Sequence, residues 1–314
     1  MKAAQGESVA IAMGLYNGGL HLDEQLASVA AQDHANWSLI ISDDGSTDTS
    51  ADQVRRFASG PGQGRVSLVQ GPGKGFAQNY LSLLRHPLTR QCSHVALCDQ
   101  DDTWLPMRLG RGLDALRSFV GRPALYCART LVCDVDLNPL HVSPKWPRPF
   151  SLRNAMVQNV ASGNTIMLNR AMADIAAEAA PAAQTAGIAA HDWWLYQLAS
   201  ASGAQIVQDD QPVLHYRQHD RNTMGRNDTA SARLDRLKQI LDGTFSRWID
   251  ANCQALMAVP QFLEPDAQTI LGQFPAIRSE RAAVRLKAFR AIGLYRQGRA
   301  DDMALRVAVA FGRL

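Results

Sequence analysis

At 314 residues, with 46% hydrophobic and 19% charged side chains, the chain has the apolar content to bury a large core, which excludes a disordered protein. A net charge of +3 is too small for a nucleic-acid binder. No apolar run reaches the length of a membrane span or forms a secretory leader, so the expected setting is the cytoplasm. Five cysteines, at 92, 98, 127, 133 and 253, lack a Cys-x-x-Cys pair and argue against a disulfide framework or a zinc site.

The first predicted element is a buried strand from Ser8 to Leu15 that runs into Tyr16-Asn17-Gly18-Gly19. Leu22, Leu26 and Val29 at helical spacing predict a helix to Gln32. Trp37 to Ser42 predicts a second strand, ending in Asp43-Asp44-Gly45-Ser46-Thr47-Asp48. Strand, helix and strand over this length make a βαβ unit and imply a parallel sheet. A helix from Thr49 to Ala58 and a strand from Arg65 to Val69 lead to Gly71-Pro72-Gly73-Lys74-Gly75, which opens a helix from Phe76 to Arg85. Amides at that helix start can face phosphate. No Walker-type lysine-serine pair follows, so an ordinary tight turn also fits, with Lys74 a candidate diphosphate contact.

The fourth strand, His94 to Cys98, enters Asp99-Gln100-Asp101-Asp102. Three carboxylates in four residues at a strand's C-terminal edge repel one another until a cation or protonation relieves them. Mg²⁺ or Mn²⁺, completing its shell with substrate phosphate oxygens, suits such a set. The same residues also fit a solvated acidic turn capping the helix that Pro106 opens. Ligands of an open parallel sheet bind beyond the carboxyl ends of its strands, which puts the three polar loops around one cleft.

A helix from Pro106 to Phe119 comes next, then a strand or two within 124–134, and a proline-rich loop to Phe150. Gly163 to Leu168 reads as a strand, 171–180 as a helix and 181–190 as a loop of small residues. His191-Asp192-Trp193-Trp194-Leu195 stands at the mouth of a helix that ends near Gly203. Two short strands follow, at 204–208 and 213–217, and a polar stretch starts at His219. From Ala230 the pattern is helical, which places a boundary near residue 228 between a unit 1–228 and a helical region 229–314. From Ala276 to Leu314 nine Arg or Lys stand against three acids, so this tail carries +6 and the rest of the chain −3. Arg278, Arg281, Arg285, Lys287 and Arg290, interleaved with Val284, Leu286 and Phe289, suit either an anionic membrane surface or the solvated face of a packed appendage.

Tyr16-Asn17, Asp43 to Asp48 and Asp99 to Asp102, each after its strand, are together similar to the nucleotide and metal motifs of the family 2 glycosyltransferases. The resemblance runs over roughly residues 7 to 222. It implies the GT-A fold: an α/β, Rossmann-like, mostly parallel central sheet flanked by helices, here with a helical C-terminal appendage. Gly75 to Asn79, Gly163-Asn164-Thr165 and Tyr216 to His219 also resemble the bacterial polysaccharide branch described as rhamnosyltransferases. The resemblance implies that Asp44 bonds the nucleobase, with Asp43 supporting its loop and Tyr16, Asn17 and Asn79 around the nucleotide. Asp101 would meet ribose and metal, with Asp99, Asp102 and His219 as further metal ligands, and Asp192 falls on the catalytic base. The residue before that base, acidic in many relatives, is His191 here.

The implied activity is inverting, metal-dependent transfer of a sugar, rhamnose by the narrower resemblance, from a UDP- or dTDP-sugar. The acceptor would be a hydroxyl of a growing glycan, free or lipid-linked, at the inner face of the cytoplasmic membrane. Its chemistry is coherent. Charge grows on the leaving diphosphate, where a metal offsets it, while a carboxylate opposite takes the proton of the attacking hydroxyl. Asp192 equally fits a helix N-cap before two core tryptophans, and His219 a structural histidine. Two rivals remain: a sugar-nucleotide nucleotidyltransferase, which would need a basic glycine-rich loop after the first strand, and a non-catalytic carbohydrate-binding protein.

Overall fold

The computed structural model describes residues 6–219 and 242–314. In chain order it runs β1 (Val9–Leu15), α1 (Leu22–Ala30), β2 (Trp37–Asp43), α2 (Ser50–Ser59), β3 (Val66–Gln70), α3 (Phe76–Arg85), α4 (Pro87–Gln91), β4 (His94–Cys98), β5 (Thr103–Trp104), α5 (Arg108–Leu116), β6 (Ala124–Cys133), β7 (Pro139–Val142) and α6 (Leu152–Ala155). Then come β8 (Met167–Asn169), α7 (Arg170–Ala186), α8 (His191–Ala201) and β9 (Gln205–Arg217). After the undescribed segment follow α9 (Thr244–Met257), α10 (Pro265–Gln273), α11 (Ala282–Ile292) and α12 (Arg299–Ala310). The boundary expected near residue 228 lies outside the described residues.

The strands form one sheet in the order β3-β2-β1-β4-β8-β6-β9-β5, with β7 beside β6. β1 pairs in parallel with β2 and β4, and β2 with β3, so Leu15, Asp43 and Cys98 finish at one edge. β8 runs antiparallel between β4 and β6, and β6 and β9 are parallel to each other. Two reversals therefore bring the end of β9, and His219 just after it, back to the edge where β4 releases its acidic turn.

β1 shows how the core is shared. Val9, Ile11, Met13 and Leu15 enter a cluster with α1, α2 and α5, whereas Ala10 and Ala12 enter the cluster under α3, α7 and α8. The period-two alternation of a strand divides them, and the two alanines leave room for α3 to lie close over the sheet. Ile249, Leu256, Phe274, Phe289, Leu305 and Val309 belong to the same cluster as α7 and α8, and Phe245 stacks on Trp193 at 5.5 Å. The C-terminal helices are thus packed on the sheet unit through a continuous apolar core.

Several local expectations change. The loop expected at 181–190 is mostly helix, because α7 carries Pro181 inside it and ends at Gly187, whose φ of 66° is left-handed. An alanine-rich run has enough helix propensity to absorb one lost N–H bond. The two strands expected at 204–208 and 213–217 are a single strand, β9, with register shifts against β6. There the Asp209 carboxylate accepts hydrogen bonds from Arg111 and the Tyr126 hydroxyl. Gly163 to Thr165 is a 3-10 turn before β8 rather than strand. Arg278 and Arg285 are removed from the expected membrane-facing set. Arg285 is buried and donates to the carbonyls of Ser279, Glu280, Val309 and Ala310, and Arg278 pairs with Asp250 and the carbonyl of Ser246. No helix among the described residues is long and apolar enough to cross a membrane.

Candidate active site

The loops after β1, β2 and β4 are tied together by side-chain hydrogen bonds to backbone. Gln100 accepts from the amide of Tyr16 at 2.8 Å and donates to its carbonyl at 3.1 Å, clamping the first loop to the acidic turn. Asn17 takes a φ of 48°, which an asparagine tolerates better than most residues, and its side chain accepts from Thr47 N. Asp43 folds the second loop by accepting from the amides of Gly45 and Ser46. Asp48 accepts from Gly19 and Ser50, tying the first loop to the start of α2.

The glycine-rich turn has a role inside the fold. The amides of Gly73 and Gly75 donate to the two oxygens of Asp44, each at 2.7 Å, so this turn grips the Asp44 carboxylate. Lys74 at its tip is exposed. Asn79 is 2% exposed and donates to the carbonyl of Ser42, bracing β2 from behind.

The acidic turn separates its three aspartates. Asp99 lies 2.6 Å from the Tyr80 hydroxyl; burial and then the neighbouring Asp101 push its carboxyl up to about 7, with Asp192 adding to the pressure. Asp102 is fully buried, accepts from the Asn164 side-chain amide at 2.6 Å, and is held well above the carboxylate range by burial and then by Asp101. Asp101 stands at the cleft with its Oδ2 2.9 Å from His219 Nε2. The set expected to bind metal as four does not converge: among the described residues no group of three or more His, Cys, Asp or Glu is arranged to hold a metal ion. Successive residues leaving a strand point different ways, which is why Asp99, Asp101 and Asp102 find three different partners. The remaining pair, an oxygen and an imidazole nitrogen side by side, fits a hard divalent cation that draws its other ligands from water and diphosphate.

Two buried arginines hold this edge together, and neither was among the candidates. Arg217, 2% exposed, donates to the carbonyls of Asp101 and Val135 and pairs with Glu24. Arg108 donates to the carbonyls of Leu97 and Asn164 at 2.7 Å and stacks on Trp104. Their charge lies beneath the crowded carboxylates. A buried arginine carries no motif of its own, and Arg217 is visible in the sequence only as part of the stretch Tyr216 to His219.

Asp192 lies in the first turn of α8, near enough to the acidic turn to raise the Asp99 carboxyl. The helix N-cap is Ala190, so Asp192 is not the capping residue. Its Oδ2 accepts from Asn159 at 2.9 Å and from the amide of Gly163 at 3.2 Å, and its Oδ1 lies 2.7 Å from Trp193 N. A Cβ on Gly163 would meet both the Asp192 Cβ and His191 Nε2 at 3.1 Å, tighter than ordinary contact, so any larger residue requires these neighbours to give way. His191 is buried, stacked on Tyr80 at 3.9 Å, and held near 4 by burial, hence neutral. Asn159 is the residue that sequence reading missed, since it is 33 positions from the carboxylate that it orients.

Parallel strand ends thus carry polar, acidic loops, and an anchored carboxylate in the first turn of a helix lies near them. Residues 10–172 match the family model described as glycosyl transferase family 2, which is more than half of the chain: the protein belongs to that family and is a glycosyltransferase. Among curated relatives it is 24% identical to the dTDP-rhamnosyl transferase RfbG of Shigella flexneri, over 78% of this chain and 84% of that one. It is 30% identical to the UDP-Glc:alpha-D-GlcNAc-diphosphoundecaprenol beta-1,3-glucosyltransferase WfgD of Escherichia coli, over 32% of this chain and 38% of that one. The crystal structure of S. aureus TarS 1-349 in complex with UDP shares the GT-A fold at a TM-score of 0.54 and 15% identity, covering 97% of this chain and 90% of that one.

Proposed function

We propose that this enzyme transfers a sugar from a nucleoside diphosphate to a hydroxyl of a growing cell-surface polysaccharide, with inversion at the anomeric carbon and with Asp192 as general base. The observation that carries the reading is the Asp192 carboxylate, fixed by Asn159 and Gly163 close to the acidic turn. With the lone pairs on one side of Oδ2 taken by two donors, the carboxylate has a set orientation and still has acceptor capacity for a hydroxyl proton. The nucleotide would lie on the loops that Asp43, Asp44, Tyr16 and Asn17 organise, with Lys74 near the diphosphate. The sugar would point toward Asp192. Asp101 and His219 would hold Mg²⁺ or Mn²⁺, which when bound offsets the charge that builds on the leaving diphosphate.

The likeness to RfbG over most of both chains makes dTDP-rhamnose the first donor to assay, and the likeness to WfgD makes a lipid diphosphate-linked glycan the first acceptor class. The reaction would then take place at the inner face of the cytoplasmic membrane. The test is Asp192→Asn. General-base catalysis is worth about 10² to 10⁴-fold, so transfer should fall by at least that range while donor affinity by calorimetry stays within about twofold. NMR of the wild-type product should show inverted anomeric configuration. A fully active variant, or a retained configuration, would remove Asp192 from this role.

A further inference from the structure

The charged tail is not used as its sequence suggests, and what remains exposed on it has a different chemistry. Along α12 and onto its C-cap, the row Arg299, Met303, Val307, Phe311 follows the four-residue spacing of one helix face, and its three apolar members are 62%, 50% and 76% exposed. The opposite side of the helix, through Leu305 and Val309, is buried in the core. Arg306 and Arg313 are exposed alongside the row, and α11, which packs on α12, exposes Val284, Lys287 and Arg290. The acids of α12 do not interrupt the row. Asp302 is engaged by Arg148, Arg306 and the amide of Arg296, and Asp301, which is exposed, is two positions from Met303 and so is turned away from the row by the helical repeat.

We propose that this face of α12 docks on an anionic lipid leaflet, with Met303, Val307 and Phe311 entering the headgroup boundary and the neighbouring arginines meeting lipid phosphates. Charge decides the occupant. Exposed arginines beside large apolar side chains, with no carboxylate on the row, match a surface that is negative outside and apolar beneath. The inference rests on the reading of a lipid-linked acceptor, since such an acceptor requires the cleft to be held at a membrane.

The test is flotation of the full-length protein with vesicles of phosphatidylcholine alone and of phosphatidylcholine mixed with phosphatidylglycerol. Binding is expected only to the mixed vesicles and should weaken as salt is raised. Combining Met303→Ser, Val307→Ser and Phe311→Ser should reduce partitioning by about tenfold or more while leaving melting temperature and transfer to a soluble acceptor unchanged. Equal binding to both vesicle types, or a triple variant that partitions like the wild type, would overturn the proposal. So would sedimentation showing a dimer that the triple variant abolishes, because the face would then belong to a second copy. Transfer to a soluble acceptor is read separately, so failure of the docking surface and failure of the proposed activity are distinguishable.

Discussion

Asn159 donates its side-chain amide to Oδ2 of Asp192 across 2.9 Å, and the two residues reach each other only because α6 and the turn before β8 pack against the start of α8. Removing this donor leaves Asp192 in place with one restraint fewer. Asn159→Ala is expected to lower the transfer rate by about tenfold with little change in donor affinity, as for a positioning residue whose loss is felt mainly in the transition state. Single-turnover kinetics beside donor calorimetry would separate this from a general loss of folding.

Gly163→Ala probes the same contact from the other side. The new methyl would lie 3.1 Å from Asp192 Cβ and His191 Nε2, tighter than ordinary van der Waals contact. Overpacking of this kind costs about 1 to 3 kcal/mol, and here it also pushes the carboxylate off its donors. The expected result is a lower melting temperature together with a fall in transfer rate. A variant with wild-type melting and wild-type activity would show that the wall is looser than this geometry allows.

Asp101 and Asp102 are neighbours with opposite expected phenotypes. Asp101→Asn, or His219→Ala, should weaken the dependence of donor binding on Mg²⁺ or Mn²⁺ with little loss of stability, because both groups stand at the cleft. Asp102→Ala strips the partner from a buried Asn164 amide, an unsatisfied group worth about 1 to 3 kcal/mol, and should be read first in thermal unfolding. Calorimetry with and without EDTA on all three variants checks the division. Unchanged donor affinity of the wild type in EDTA would rule out the metal.

His94, at the start of β4, is held near 4 by burial, against 6.5 when free. Between those values the unfolded chain binds a proton that the folded one refuses, so this residue's contribution to stability is present above pH 6.5 and is lost as pH falls toward 4. His94→Gln removes that dependence. The stability difference between wild type and variant, from urea unfolding across this pH range, should shrink on acidification by up to about 3 kcal/mol. A pH-independent difference would mean that His94 is solvated.

The parallel α/β sheet and the three polar loops were legible from the sequence because each depends on local pattern, whereas the GT-A fold was implied by the resemblance of those loops to a family. Apolar runs of strand length, helical spacing and short motifs after a strand are readable in order along the chain. The position of Asp192 was legible for a different reason, through its place in a set of motifs that resembles a family. Tertiary structure alone decided which carboxylates are available. Asp99, Asp101 and Asp102 read as one cluster, yet burial under Asn164 withdraws Asp102 and leaves Asp101 beside His219. It likewise decided that the glycine-rich turn grips Asp44, that Arg278 and Arg285 tie carbonyls together inside the tail, and that Asn159 holds the Asp192 carboxylate. These are contacts between residues about 30 or more positions apart in most cases, set by how strands order within the sheet and how helices close over it. Side-chain spacing along the chain carries no record of them.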